Sequence, residues 1–378
     1  MARLRGQTST VTTNLGNIVA GTSAPASPHI GLRWYNSATG VTYQYTSDGA
    51  TSFWLDISSG GIGTSSSRSV DFVGDTDPHL ETATVGGGLV IGSVYYNREG
   101  NRYFTCTTAT DNANVWAGRY AGAGGIETTY KSGTDFYRAH TFLSDGTFHM
   151  DSATTVDWLV VAGGGGGGYG EDGHKGGGGG AGGFRHGASH SVTVKSYPIT
   201  VGAGGIGGTT VTPAPSGGNS VFDTVTSTGG GGGGAGEDNS ASNKNGRVGG
   251  SGGGSGSSGQ AAVSGGAATS ITPISGETTT VQGYAGGAGA QHTGASGGGG
   301  GAAGVGSQSS NNATVGNGGA GVANAWRTGS NITYSVGGYT LNSAPAEDNT
   351  GNGGGGAKNM RGGTGGSGIV VIRYQLNA

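Results

Sequence analysis

Unbroken glycine blocks punctuate the second half of this chain, at 163–168, 176–180, 229–234, 297–301 and 353–356, with a serine-spaced block at 249–256. They limit the choice of backbone. A helix is disfavoured, because glycine costs about 1 kcal/mol per helical position relative to alanine. A regular sheet is disfavoured as well, because glycine adds nothing to cross-strand packing. The polyproline II conformation remains, with three residues per turn and about 3.1 Å of rise per residue, so that six glycines span roughly 19 Å. An isolated helix of this kind has no internal hydrogen bonds. Side by side, however, such helices can bond laterally through their N–H and C=O groups, and only glycine lets backbones approach that closely. The expected product is a bundle cohering through backbone hydrogen bonds, with the polar interludes as loops at its two ends.

The 378 residues include 91 Gly and 8 Pro, about a quarter of the chain, where soluble proteins average about 12%. With a hydrophobic fraction of 32%, a conventional core has to be small. Two apolar runs bracket the glycine-rich region, Trp158-Leu159-Val160-Val161-Ala162 and Ile369-Val370-Val371-Ile372-Arg373-Tyr374. Both read as buried strands and are expected to pair, joining the start and end of one domain. Smaller strand candidates lie at 191–201 and 220–225.

The amino-terminal third reads differently. Residues 1–30 are polar, without helical or strand periodicity, and read as an extended attachment arm. Residues 31–60 carry two aromatic, β-branched runs around Asn36-Ser37-Ala38-Thr39-Gly40, the pattern of a β-hairpin. The pattern returns within 61–124, where Tyr96-Asn97 answers Tyr35-Asn36, Gly100 answers Gly40, Tyr103 answers Tyr43 and Trp116 answers Trp54. Single hairpins are marginal in water, so two such modules must pack on something. The expected organisation is an arm at 1–30, hairpin modules at 31–60 and 61–124, and a glycine-rich domain at 125–378. The fold class is mostly β and irregular, with stacked polyglycine helices closed by strands.

A net charge of −3 with 10% charged residues argues against nucleic-acid binding, which needs clustered Lys and Arg. The lone Cys106 cannot form an internal disulfide, the start MARLRGQTST has no apolar region of a secretory signal, and no apolar run is long enough for a membrane span. Signs of catalysis are scarce. GxGxxG recurs by chance, without a strand-to-helix context, and no Gly-Lys pair exists to make a P-loop. His186 and His190 have H-x3-H spacing but no helix or cysteine to make a metal site of it. The acidic pairs Glu171-Asp172, Glu237-Asp238 and Glu347-Asp348 read as turn residues ahead of a Ca²⁺ or glycosidase reading. No enzyme activity, cofactor or metal is expected.

The lead-in HTFLSDGTFHM…VDWLVVAGGGGGG (from His140), the middle YPITVGAGGIGG (from Tyr197) and the exit GGSGIVVIRY (from Gly365) resemble the glycine-rich domain of phage tail-fibre tip adhesins, over roughly 140–374. The resemblance implies a polyglycine II sandwich whose variable loops contact a host receptor, an outer-membrane protein or polysaccharide. It also implies a place on the virion as part of the tail fibre, assembly in the host cytoplasm, and contacts to other tail or fibre proteins through residues 1–124. The chain would be a homotrimer, or a monomer capping a trimeric fibre. The hairpin pair is similar to short modules of phage virion proteins. Aromatic and arginine side chains dominate recognition hot spots, so the candidate contacts are Tyr169, Tyr284, His292, Trp326, Arg327, Tyr334 and Tyr339. The interlude 322–351 is the leading loop and 260–282 the runner-up. The alternative function is a purely structural fibre or collar component; fibre shafts need less loop variety than these interludes show.

Overall fold

The computed structural model describes residues 18–30, 32–38, 41–47, 52–56, 70–100, 102–118, 120–236, 241–257, 263–289, 295–309, 314 and 316–376. The chain divides into two compact units, the first made of 1–74, 83–96 and 103–118 and the second of 75–82, 97–102 and 119–378. The first unit carries two four-stranded sheets. In one, β1 (Ile18–Gly21) runs parallel to β2 (Arg33–Asn36), which continues antiparallel into β3 (Val41–Ser47) and β4 (Ser52–Asp56). Residues 1–30 are therefore not wholly an attachment arm, since 18–21 complete a sheet. In the other sheet the order is β5 (Phe72–Gly74), β6 (Val94–Asn97), β7 (Arg102–Thr108) and β8 (Val115–Gly118).

The repeat is real, with its register corrected by one residue. Trp34 packs on Tyr43 at 5.1 Å and on Trp54 at 5.7 Å between ring centroids. In the second sheet Tyr95 packs on Phe104 at 6.4 Å and on Trp116 at 5.7 Å. Phe104, not Tyr103, thus answers Tyr43. Tyr103 lies on the opposite face, exposed and stacked on Tyr96 at 4.7 Å. A one-residue slip exchanges the faces of a strand, and the adjacent aromatic pair Tyr103-Phe104 hides the slip in the sequence.

In the second unit the strands are β9 (Gly122–Ala123), β10 (Ile126–Ser132), β11 (Asp135–Phe142), β12 (Gly146–Met150), β13 (Thr154–Val161), β14 (Gly170–Lys175), β15 (Phe184–Val192), β16 (Lys195–Thr200), β17 (Ser220–Phe222), β18 (Val225–Ser227), β19 (Val322–Asn324), β20 (Ile332–Tyr334), β21 (Lys358–Met360) and β22 (Ile369–Gln375). One sheet has the order β10-β11-β22-β13-β15 and another β18-β17-β16-β12-β9. The bracketing runs pair antiparallel as expected, with Trp158 opposite Ile372 and Val160 opposite Val370. Both central strands are buried on both faces, which is why they read as unbroken apolar runs. The strand candidate 191–201 splits between β15 and β16, which belong to different sheets. Against the expectation of no helix, residues Ala241–Lys244 form a single helical turn.

The second unit also takes in residues that the sequence reading assigned to module 61–124. His79 stacks on Phe136 at 3.7 Å, Lys131 pairs with Glu81, and the Tyr120 hydroxyl donates to Pro78 O. Gly122 and Ala123 pair with β12. The unit therefore begins at 119 and recruits 75–82 and 97–102, rather than starting at 125.

The glycine blocks form the interior of this unit. Along 163–168 the N–H groups of Gly163 and Gly166 donate to Gly218 and Pro215, those of Gly164 and Gly167 to Gly366 and Gly363, and those of Gly165 and Gly168 to Gly180 and Gly177. The carbonyls of the same three pairs accept from Gly230 and Gly233, Gly205 and Gly208, and Gly354 and Ala357. All twelve bonds measure 2.8–3.1 Å. Each neighbour is met again every third residue, the signature of a three-residue turn. None of these glycines has a positive φ. One segment thus has six neighbours; the three it donates to run antiparallel and the three it accepts from run parallel. Where a Cβ would stand on Gly167, the carbonyl oxygen of Gly355 already lies 2.0 Å away, so a Cα–H fills the space and adds a weak C–H···O contact.

The bond registers also fix the direction of every segment. Residue 163 follows β13, so it marks the sheet end of the lattice, and 168 marks the far end. Antiparallel partners return the chain: 176–182 descends to the sheets, 202–208 rises, 214–218 descends and 229–235 rises, and the alternation continues to 352–357 and 362–367. Connections after a rising segment lie at the far end, and those after a descending segment lie beside the sheets.

Candidate recognition surfaces at the two ends of the lattice

The leading loop of the sequence reading falls at the sheet end. Segment 316–320 descends, so 321–334 lies against the sheets, where β19 and β20 pair as a short hairpin. Tyr334 is wholly buried in the core formed by Leu159, Val161, Phe184, Ile369 and Val371. Burial pushes the pKa of its hydroxyl up, partly offset by the charge of Arg327. Trp326 packs against the same core, its ring edge-on to His186 at 5.5 Å and under the Arg373 guanidinium at 4.5 Å. Its carbonyl accepts from the Tyr130 hydroxyl at 2.7 Å. Arg373 is held in turn by Asp157 at 3.0 Å and by the face of Tyr137. Tyr334 is thus corrected from a contact residue to a core residue, and Trp326 with its half-buried neighbour Arg327 belongs to the joint between lattice and sheets.

The runner-up loop is fixed at the same end. Arg185 on β15 forks onto Glu277, with bonds of 2.8 and 2.6 Å, and both side chains are buried. Gln282 ties Thr228 to Thr269. His186 bonds Thr279 through Nδ1 and Thr278 through Nε2, and burial lowers its pKa. Tyr284 is partly exposed but begins a rising segment, so it too stands near the sheets. His190 turns to Asp223 at 3.0 Å instead of joining His186. Among the described residues no group of three His, Cys, Asp or Glu side chains could hold a metal ion.

Two of the candidates reach the far end. Tyr169 follows the rising segment 163–168, and Tyr339 ends the rising segment 335–340, where its carbonyl accepts from Gly356. Beside them β14 and β21 pair, Gly170 opposite Met360 and Lys175 opposite Lys358, with Gly173 N–H bonded to Asn359 Oδ1 at 2.7 Å. Asp172 takes the left-handed conformation of this turn at φ 47, as expected of a turn residue. Asp348 likewise accepts from Ser367 N–H at a turn. His292 and the pair Glu237-Asp238 lie outside the described residues.

Beside the candidate Tyr339, the far end exposes two apolar side chains that the sequence reading passed over, Leu341 and Met360. Tyr339 is 43% exposed, Leu341 40% and Met360 53%. The Met360 sulfur accepts from Ser343 Oγ at 3.3 Å, which brings the 339–343 and 358–361 connections together. Lys358 and Arg361 flank Met360 and are exposed. The available signal was a single apolar residue between cations in a five-residue turn closed by glycines.

Comparison with curated proteins gives no match for this chain. A family model described as a glycine-rich domain matches residues 141–375, which take in the lattice and both strands that bracket it. The chain belongs to that glycine-rich domain family.

Proposed function

We propose that this chain is the host-recognising tip of a phage tail fibre, and that it binds a bacterial surface through the connections at the far end of its glycine lattice. One observation carries the reading. Among the described residues the connections 169–175, 209–213, 341–343 and 358–361 emerge at the end away from the sheets, so a rigid, backbone-bonded body presents unrelated short loops at one end. A shaft or collar has no use for such a surface. Loops on a rigid scaffold are where recognition residues concentrate. The resemblance of the lead-in and exit sequences to tip adhesins points the same way, and residues 1–124 are then the region that joins other fibre proteins.

The contact residues in this reading are Tyr169, Tyr339, Leu341 and Met360, with Lys358 and Arg361 at their margin. Purified chain is expected to block phage adsorption on at least one strain of a bacterial panel. A Tyr169→Ala, Tyr339→Ala, Met360→Ala variant should block at least tenfold less well with its melting temperature kept, because one hot spot is worth about 2 kcal/mol. Folded parent protein that binds no strain would support the structural fibre component instead.

A further inference from the structure

The second unit holds a cavity of about 290 Å³ well away from the far-end loops, bounded by 75–77, 97–102, the residues that open β13 and the end of β22. Its floor is tied down without a ligand. Asn97 Nδ2 donates to Asp77 Oδ1 at 2.7 Å, Arg102 pairs with the same oxygen at 3.1 Å, and Asn97 Oδ1 accepts from Gly100 N–H at 2.9 Å. Its rim carries Glu99, Thr154 and Gln375, which make no side-chain hydrogen bond among the described residues. The floor is preorganised, and the rim has hydrogen-bonding capacity to spare.

We propose that this cavity binds a single neutral sugar residue. The lining selects against anions, apolar molecules and metal ions. Carboxylates outnumber the one guanidinium and repel an anion, the mostly polar walls leave an apolar molecule only Ala121, Ala153, Tyr374 and Leu376 to bury against, and the described residues hold no cluster that would take a metal ion. A sugar hydroxyl donates and accepts at once. It can therefore donate to Glu99, exchange hydrogen bonds with Thr154, and meet both ends of the Gln375 amide. The volume sits at the small end of ligand sites, about 300–1,000 Å³, which suits one ring. This sugar contact is separate from the far-end loops and independent of their proposed role.

Ligand-observed NMR saturation transfer on the full chain tests it, with glucose, galactose, mannose and N-acetylglucosamine offered at millimolar concentration. At least one is expected to bind, and at least about tenfold more weakly to a Glu99→Ala, Gln375→Ala variant of unchanged melting temperature, since the pair removes hydrogen bonds worth about 1 kcal/mol each. The far-end Tyr339→Ala variant should bind the sugar as the parent does. No saturation transfer from any of the four, or binding that survives the double substitution, overturns the proposal.

Discussion

Placing a methyl group on Gly299 tests whether glycine is required where the lattice is densest. Its N–H donates to Gly338 O at 2.9 Å and its carbonyl accepts from Gly319 N–H at 2.8 Å. An alanine Cβ at this position would stand 1.9 Å from the carbonyl oxygen of Gly179 and 2.4 Å from its carbon. Both atoms are backbone, so no side chain can swing aside. The two segments must part by more than an ångström, and Gly179 O is itself the acceptor for Gly338 N–H at 2.8 Å. Parting orphans one or two buried groups at about 1–3 kcal/mol each, and forcing a methyl into a packed interior costs about 1–3 kcal/mol more. Gly299→Ala should therefore cost roughly 3–6 kcal/mol, a large share of the 5–15 kcal/mol typical of a folded protein. Valine should do worse. Gly304 serves as the control, because a Cβ there meets only Ala320 N at an ordinary 3.5 Å. In thermal unfolding followed by calorimetry, Gly299→Ala should melt at least about 6 °C below the parent and Gly304→Ala close to it. Equal melting of both variants would refute the close-packed lattice.

Acid should destabilise the second unit. His140 is buried and its pKa is pushed down to about 4, chiefly by burial; the unfolded chain binds the proton first, near pH 6.5. Stability is then lost as pH falls from about 6.5 to 4, by about 3 kcal/mol in all, and His79 and His186, also lowered by burial, add to it in the same direction. Denaturant midpoints measured across that range should fall, and in His140→Phe the fall should be smaller. Glu277→Ala leaves Arg185 buried without its carboxylate and should cost about 3–5 kcal/mol, read as a lower melting temperature with faster amide exchange at 272–279; melting like the parent would mean that the ion pair does not hold that loop. Chains starting at residue 75 should melt above chains starting at 125, which lack β9 and the Glu81 and His79 contacts. The reverse order would count against the unit boundary.

Much of the architecture was legible because composition left few options. Blocks such as 163–168 exclude helix and sheet by elementary energetics, and the runs at Trp158 and Ile369 have the unbroken apolarity of strands buried on both faces. The positions of the loops were not legible. Val322–Asn324 and Ile332–Tyr334 are three-residue strands, too short to show an alternation, so Trp326 and Tyr334 passed for loop aromatics when they fill the joint beside Arg373. Nothing in a glycine block says which way it runs. Only the bond registers assign Tyr169 and Tyr339 to one end and Tyr284 to the other. The contacts of Tyr120 with Pro78 and of Lys131 with Glu81 likewise join residues about forty or more apart, a separation that local patterns do not reveal.

The central claim is that glycine backbone, bonded laterally, forms the interior of this protein. Hydrogen exchange read by mass spectrometry tests it on the intact chain, because amide protection reports hydrogen bonding whatever the side chain. The amides of 163–168, 176–182 and 353–357 should exchange as slowly as those of β13 and β22, far more slowly than those of the exposed Thr209 and Thr210. Exchange of the glycine blocks within seconds, at the rate of an unstructured chain while β13 stays protected, would contradict it.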